Sequence, residues 1–329
     1  MRNITVILGD PRKQDFVKPN SEFGKEDFKT IDELKKALSK LDYNFKYLDD
    51  HDTLYSELRR LRDNKEIDIA FNLCDEGFNN DPKKENVIPL MLETLEIPYT
   101  GADEKCMVLC YNKFQVYEHT KHMGIPIPKS ILINPRKEDR HIDIEFPAII
   151  KPNLGDGSSG ITQDSVIRTH ADFEKKIKDY DEPILIQEFL SGNDVSCGII
   201  SDKVLPLIEE DYSLIPNNLE QICGYEAKWD SDSPYSNLKS KKADINKDAE
   251  KLIKEYSLLL FENLKCRDYA RFDWRLDSEN IPRLLEVNPN PGWCYDGHLA
   301  KMYGFEETKD SYSKMLHAIL KAAEKRLFQ

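Results

Sequence analysis

The stretch from Tyr269 to Gly292, YARFDWRLDSENIPRLLEVNPNPG, constrains this chain more than any other. Tyr269 to Leu276 alternates in the manner of a half-buried strand. Asp277-Ser-Glu-Asn280 is a polar turn. Arg283 to Asn288 alternates again, and Pro289-Asn-Pro-Gly292 stops it. The expected unit is a hairpin. With a side-chain period of two, Arg271 and Asp273 share a face of one strand, and Glu286 and Asn288 share a face of the other. If the two faces coincide, one guanidinium fork and three oxygen-bearing side chains converge. Two carboxylates and an amide suit a hard cation such as Mg²⁺, and the arginine suits phosphate or a developing oxyanion. The same residues would also serve an ordinary surface hairpin with local ion pairs, so the rest of the chain decides between the two.

At 329 residues the chain is too long for one small domain and predicts two or three lobes around a cleft. A net charge of −13 argues against a nucleic-acid or acidic-membrane partner. The apolar start, MRNITVILGD, is too short for a signal peptide, and no apolar run reaches membrane-spanning length. A cytoplasmic location follows as the expectation. The seven cysteines are odd in number and scattered, as expected of reduced, mostly buried thiols. Cys106 and Cys110 would share one helix face, but no histidine or second pair accompanies them in sequence, so spacing gives little support for a metal there.

In chain order, Asn3–Leu8 reads as a strand and Ile31–Leu41 as a helix with Thr30 as its cap. Phe45–Leu48 reads as a strand, Leu54–Leu61 as a helix and Ile67–Leu73 as a strand. This alternation predicts a small α/β lobe with a mainly parallel sheet. Ligands of such sheets lie beyond the carboxyl ends of the strands, which brings Gly9–Arg12 and Asn72–Phe78 to the edge of a cleft. Val87–Leu95 and Cys106–Lys121 read as helices, and Gly124-Ile-Pro-Ile-Pro128 marks a break. Phe146 to Pro152 is a strand, followed by Leu154-Gly-Asp-Gly-Ser-Ser-Gly160, a loop whose amides and hydroxyls could wrap a phosphate. Lys151, closing the apolar strand beside that loop, is the more telling anion contact. Asp172–Tyr180 reads as a helix, and Ile184–Leu190 and Val195–Ile200 as strands flanking Asp194. Residues 211–245 are polar and irregular, a length of loop that is usually functional or disordered. Ala249–Leu264 and Asp310–Leu327 read as helices, the first packing on the hairpin.

Taken together, FNLCDEG, IPYTG, Asn112-Lys113, KPNLGDGSSG, QEFLSGND, YEAKW, CRDYARFDWRLD and LLEVNPNPG stand in an order that resembles the ATP-grasp superfamily, specifically its D-alanine–D-alanine ligase branch. The resemblance implies three parts: a parallel-sheet α/β domain over 1–104, a central lid over 105–186, and a catalytic subdomain over 187–329. By resemblance, Lys113 and Lys151 meet the nucleotide phosphates, and Gly157, Ser158 and Ser159 form the loop over the β- and γ-phosphates. Gln187, Glu188, Phe189 and Leu190 form the hinge that reads adenine, with Asp194 in the place of the ribose-binding acid, which in the family is usually glutamate. Lys228 reaches the γ-phosphate. Asp273, Glu286 and Asn288 ligate two Mg²⁺ ions, with Mn²⁺ as the alternative. Arg271 stabilises the acyl phosphate and the tetrahedral intermediate, with Lys228 and Ser158 as its catalytic companions. The implied activity is an ATP-dependent carboxylate–amine ligase acting on small molecules, with a homodimer as the open option for assembly.

Three substrate-side positions depart from that branch. The first strand ends Leu8-Gly-Asp-Pro-Arg12 and lacks the branch's glutamate for the first substrate's amine. Trp229 stands where tyrosine is usual. The serine that binds the second substrate's carboxylate falls near Gly297, in Trp293-Cys-Tyr-Asp-Gly-His298. Because a site built for charged groups rejects ligands that leave those groups unpaired, the expectation is a ligase for other amino-acid-like substrates. Candidate contacts are Arg12, Trp229, Tyr295, Asp296, Gly297 and His298. A true D-alanine–D-alanine ligase and a non-catalytic nucleotide-binding protein are the alternatives.

Overall fold

The computed structural model describes residues 1–18, 20–137, 142–155 and 157–329. Asp156 of the glycine-rich loop lies outside the described residues. In chain order the elements are β1 (Arg2–Ile7), α1 (Lys25–Leu38), β2 (Tyr43–Leu48), α2 (Leu54–Asp63), β3 (Ile69–Asn72), α3 (Val87–Thr94), α4 (Glu104–Cys110), α5 (Lys113–Lys121), β4 (Ser130–Ile133), β5 (Ala148–Pro152), β6 (Val166–Ile167), α6 (His170–Lys176), β7 (Ile184–Glu188), β8 (Asp194–Ile200), β9 (Lys203–Val204), β10 (Ile208–Asp211), α7 (Tyr225–Trp229), β11 (Lys239–Lys242), α8 (Lys247–Asn263), β12 (Tyr269–Leu276), β13 (Pro282–Asn288), α9 (His298–Gly304) and α10 (Ser311–Phe328).

They form three sheets. The first is parallel, in the order β2-β1-β3. One face is covered by α1 and the C-terminal α9 and α10, through Leu34, Leu38, Met302, Leu316 and Leu320; the other is covered by α2 and α3, through Leu54, Leu58, Ile88 and Leu92. A parallel sheet needs cover on both faces, and here the end of the chain supplies part of it. The second sheet is antiparallel, β4-β7-β5-β6, with Phe173 and Ile177 over its core. The third runs β11-β10-β8-β12-β13, with β9 beside β8. Its buried face rests on α8, where Trp274 Nε1 donates to Ser257 Oγ at 3.0 Å. Among the described residues, no helix is long and apolar enough to cross a membrane.

Several local expectations change. The first helix begins at Lys25, and Thr30 lies inside it. The Asp27 carboxylate accepts the Gly24 N–H at 2.7 Å, which satisfies an amide at the helix start. The segment read as one helix over Cys106–Lys121 is two. Asn112 takes an extended conformation, and its side chain accepts the Gln115 N–H at 3.1 Å, capping a new helix that starts at Lys113. The stretch 211–245 is not wholly irregular, since it carries α7 and the edge strand β11. Cys106 and Cys110 do have a third companion: Cys266, far away in sequence, brings its Sγ to 3.9 Å from that of Cys106. All seven cysteines are unpaired.

Candidate active site

The hairpin of β12 and β13 supplies the centre. Arg271 pairs with Asn288 and Asp273 pairs with Glu286 in the antiparallel register, so all four side chains stand on one face. The register slips after Asp273, leaving Leu285 as an extra residue. Its freed carbonyl accepts the Tyr117 hydroxyl at 2.6 Å. Arg271 grips Asp273 with a fork, Nε to Oδ1 and Nη2 to Oδ2 both at 2.9 Å. Asn288 Nδ2 donates to Asp273 Oδ2 at 2.8 Å, and Ser196 Oγ to Oδ1 at 2.6 Å. Burial works against the charge on Asp273, but the Arg271 charge and these bonds outweigh it and hold the carboxyl at about 2. Glu286 faces Lys113 Nζ at 3.5 Å. Two carboxylates and an amide oxygen are the donor set of a hard cation, so these residues fit Mg²⁺ chemically.

A cavity of about 910 Å³ rises from this face. Its walls include Lys151, Ser158, Gln187, Glu188, Phe189, Leu190, Asp194 and Lys228, with Arg271, Asp273 and Glu286 below. Lys151 and Gln187 converge on the buried Tyr117 hydroxyl, at 3.1 and 2.9 Å. Burial pushes the Lys151 ammonium down to about 8, partly offset by Glu286 and Asp194. Asp194 Oδ2 accepts from Tyr212 and from Arg275 at 2.8 Å. Its other oxygen, Oδ1, is buried with no partner. Burial lifts this carboxyl above its ordinary value, against the pull of Arg275. Asp194 lines the cavity beside Gln187, Glu188, Phe189 and Leu190. Arg275 also donates to the Leu190 carbonyl at 2.8 Å and stacks over Phe189, fixing the hinge. Glu188 turns its carboxylate away, accepting the Lys129 N–H at 2.9 Å.

The glycine-rich loop and the 211–245 segment meet over this cavity. Ser158 Oγ donates to the Cys223 carbonyl at 3.0 Å, and the Tyr225 amide to the Ile161 carbonyl at 2.7 Å. Gly224 is required here, because a Cβ at that position would stand 2.7 Å from the Ile161 oxygen. Lys113, buried at the start of α5, donates to the Gly155 carbonyl at 2.5 Å and so ties the loop to its base. Gly157 lines a second cavity, while Ser159 is exposed and lines neither.

The second cavity, about 1210 Å³, joins the first: Arg271 and Lys228 line both. Asn288, Trp229 and Trp293 face this second space, together with Gly9, Asp75 and Glu76 from the ends of β1 and β3. Four of the expected substrate contacts lie elsewhere. Arg12 is bound to Asp10 and Asp49 with its side chain 53% exposed, and it faces neither cavity. These two carboxylates, opposite in charge to the guanidinium, hold it on the outer surface. Tyr295 packs edge-on to Tyr312 and under Lys29, Asp296 is exposed, and Gly297 caps α9. His298 lines the first cavity rather than the second, with Nε2 3.0 Å from Glu210 Oε1. Tyr117, Ser196, Tyr212 and Glu210 were not legible as site residues, since each reaches the site through long-range pairing; Arg275 was passed over although it continues the alternation of Arg271 and Asp273.

The family model described as D-ala D-ala ligase C-terminus matches residues 120–321. The chain is 26% identical to D-alanine–D-alanine ligase A of Bacillus cereus over 277 residues, 83% of this chain and 86% of that one. The Bacillus anthracis D-alanine–D-alanine ligase, solved with ATP, superposes with a TM-score of 0.72 at 21% identity, covering 99% of this chain and 98% of that one. The VanG D-Ala:D-Ser ligase of Enterococcus faecalis superposes with a TM-score of 0.73 at 18% identity, covering 98% and 99%. Likeness at that identity speaks for the fold, and the match of the family model to most of the chain speaks for descent. The chain belongs to the D-alanine–D-alanine ligase family of ATP-grasp enzymes, which are ATP-dependent amide-forming ligases.

Proposed function

We propose that this ligase activates the carboxylate of an amino-acid-like substrate by phosphoryl transfer in the first cavity and joins it to an amine delivered through the second. One observation carries this reading: Arg271 and Lys228 line both cavities, at the face where Asp273 and Glu286 stand. Asp273, Glu286 and Asn288 would hold Mg²⁺, which when bound neutralises phosphate oxygens and favours in-line transfer. Gln187 to Leu190 and Asp194 orient the nucleoside. Lys151 and Lys113 meet the phosphate chain, and Ser158 with Gly157 covers it. Arg271, whose fork is held against Asp273 at the junction of the two cavities, meets the charge that develops when the amine attacks the acyl phosphate. The contacts between the glycine-rich loop and α7 keep water from the activated acyl group.

The side chains facing the second cavity differ from those expected of a D-alanine–D-alanine ligase, which supports a substrate other than two D-alanines. The test is phosphate release with ATP, Mg²⁺ and amino acids of both hands, with mass spectrometry of the product. Glu286→Gln should lower kcat by at least about 100-fold, since it weakens the electrostatic stabilisation of the transferred group. Rapid formation of D-alanyl-D-alanine would overturn the substrate reading. An unchanged rate in Glu286→Gln would overturn the catalytic one.

A further inference from the structure

The carboxylates of the second cavity are unequal. Asp15 and Asp27 are both engaged by Lys18, at 3.0 and 2.8 Å. Asp75 Oδ1 accepts the Trp293 indole N–H at 2.9 Å. Glu76 stands apart. Its Oε2 is completely buried and has no hydrogen-bond partner, although the residue as a whole keeps some exposure through the cavity opening. A carboxylate that lines a cavity while one of its oxygens is buried and orphaned is costly in an empty protein, and a donor arriving with a ligand at its accessible edge offsets that cost. Burial, reinforced by the neighbouring Asp75 charge, lifts this carboxyl well above its ordinary value.

The backbone is shaped around the same group. A Cβ on Gly9 would lie 2.6 Å from the Glu76 carboxyl carbon and 2.6 Å from Oε2. The carboxylate therefore rests directly on the end of β1, in space that any side chain at position 9 would take. The apolar part of the wall is Leu8, Val17, Phe23, Ile31, Trp229 and Trp293, with Thr30, Asn288 and Asn290 among its polar members. The cationic side chains Arg271 and Lys228 stand at the junction with the nucleotide cavity. A hard metal ion is a poor fit for Glu76, because it seeks six or more oxygens and the neighbouring acids are already engaged. A primary ammonium needs few acceptors and fits better.

We infer that the second cavity binds an amino acid with a bulky apolar side chain, its ammonium on Glu76 over Gly9 and its carboxylate toward Arg271 and Lys228. The inference rests on the ligase reading for the orientation of the carboxylate only; the ammonium site stands on Glu76 and Gly9. It is a binding proposal, so binding tests it without turnover.

The experiment is isothermal titration of the full chain, saturated with AMP-PNP and Mg²⁺. The probes are leucine, methionine, phenylalanine and alanine of both hands, with their N-acetyl and 2-hydroxy analogues. At least one bulky amino acid should bind more tightly than alanine, and its N-acetyl and 2-hydroxy analogues should bind roughly 10- to 100-fold more weakly, the worth of a charged hydrogen bond. Glu76→Gln should lose a similar factor for the amino acid while binding AMP-PNP as the parent does, which also shows that it folds. Glu76→Asp should recover part of the loss, and Gly9→Ala should behave like Glu76→Gln. The proposal is overturned if the analogues bind as well as the amino acid, if Glu76→Gln binds it unchanged, or if no amino acid binds while the nucleotide does. Binding as expected, but no product when ATP replaces AMP-PNP and amine acceptors are supplied, would retain the ammonium site and overturn the ligase orientation instead.

Discussion

ATP binding to this protein should take up a proton at alkaline pH, and the proton should go to Lys151. In the empty protein the Lys151 ammonium is buried, and burial lowers its pKa from 10.5 to about 8. A triphosphate beside it would restore a value near the ordinary one, because opposite charge favours the protonated form. At pH 9 about nine-tenths of the empty molecules would then lack the proton and nearly all of the complexes would carry it. The uptake should be about 0.9 proton at pH 9, about 0.5 at pH 8 and about 0.1 at pH 7. The sign for folding follows from the same comparison. The unfolded chain binds more protons than the folded one between about 8 and 10.5, so the empty protein gains stability as pH rises through that window, on the order of 3 kcal/mol in all. ATP affinity should fall over the same window, approaching tenfold per pH unit. Titration calorimetry at pH 9 in two buffers of different ionisation enthalpy reads the uptake directly. Lys151→Met should abolish it. Heats independent of the buffer in the parent, or equal uptake in Lys151→Met, would refute the placement of Lys151 against phosphate.

Three further outcomes are expected. Tyr117→Phe removes the hydroxyl that receives Lys151 and Gln187 and binds the Leu285 carbonyl. Leaving buried groups unpaired costs about 2–4 kcal/mol, which for a chain of this length lowers Tm by about 3–6 °C; calorimetry showing a drop below about 1 °C would contradict the network. Asn112→Ala loses the cap of α5 and a bond to Asn153, at a cost of about 1 kcal/mol. It should raise the KM for ATP, through Lys113, more than it lowers kcat, and steady-state kinetics would show the split. Asp194→Asn should erase a preference for ATP over 2′-deoxy- or 3′-deoxy-ATP that the parent shows at roughly tenfold or more, and an equal preference in both proteins would remove the ribose from Asp194.

Much of the lining of the first cavity was legible in advance because its residues sit in local patterns. Strand alternation set Arg271 with Asp273 and Glu286 with Asn288, and the glycine-rich loop follows directly from the strand that ends in Lys151. Such spacing survives in sequence because the strand period is fixed by backbone geometry. What no local pattern could give was register. Only the pairing of Asp273 with Glu286, and the slip that follows it, decided that the two faces coincide and that the Leu285 carbonyl is free for Tyr117. The break at Asn112 was equally hidden, because it depends on one side chain choosing a backbone amide over helix continuation.

The second cavity shows the same division more sharply. The sequence by itself brought Gly9 and Asp75-Glu76 to the ends of parallel strands, since loops at the carboxyl ends of such strands share one edge. It misplaced Arg12, Tyr295 and Asp296, because proximity along a loop does not say which way a side chain turns or which acids capture it. Tertiary structure alone laid the Glu76 carboxylate on the bare backbone of Gly9 and denied one oxygen a partner. Residue order determines which groups are available at an edge; packing determines which of them remain unsatisfied, and an unsatisfied buried charge is what a ligand completes.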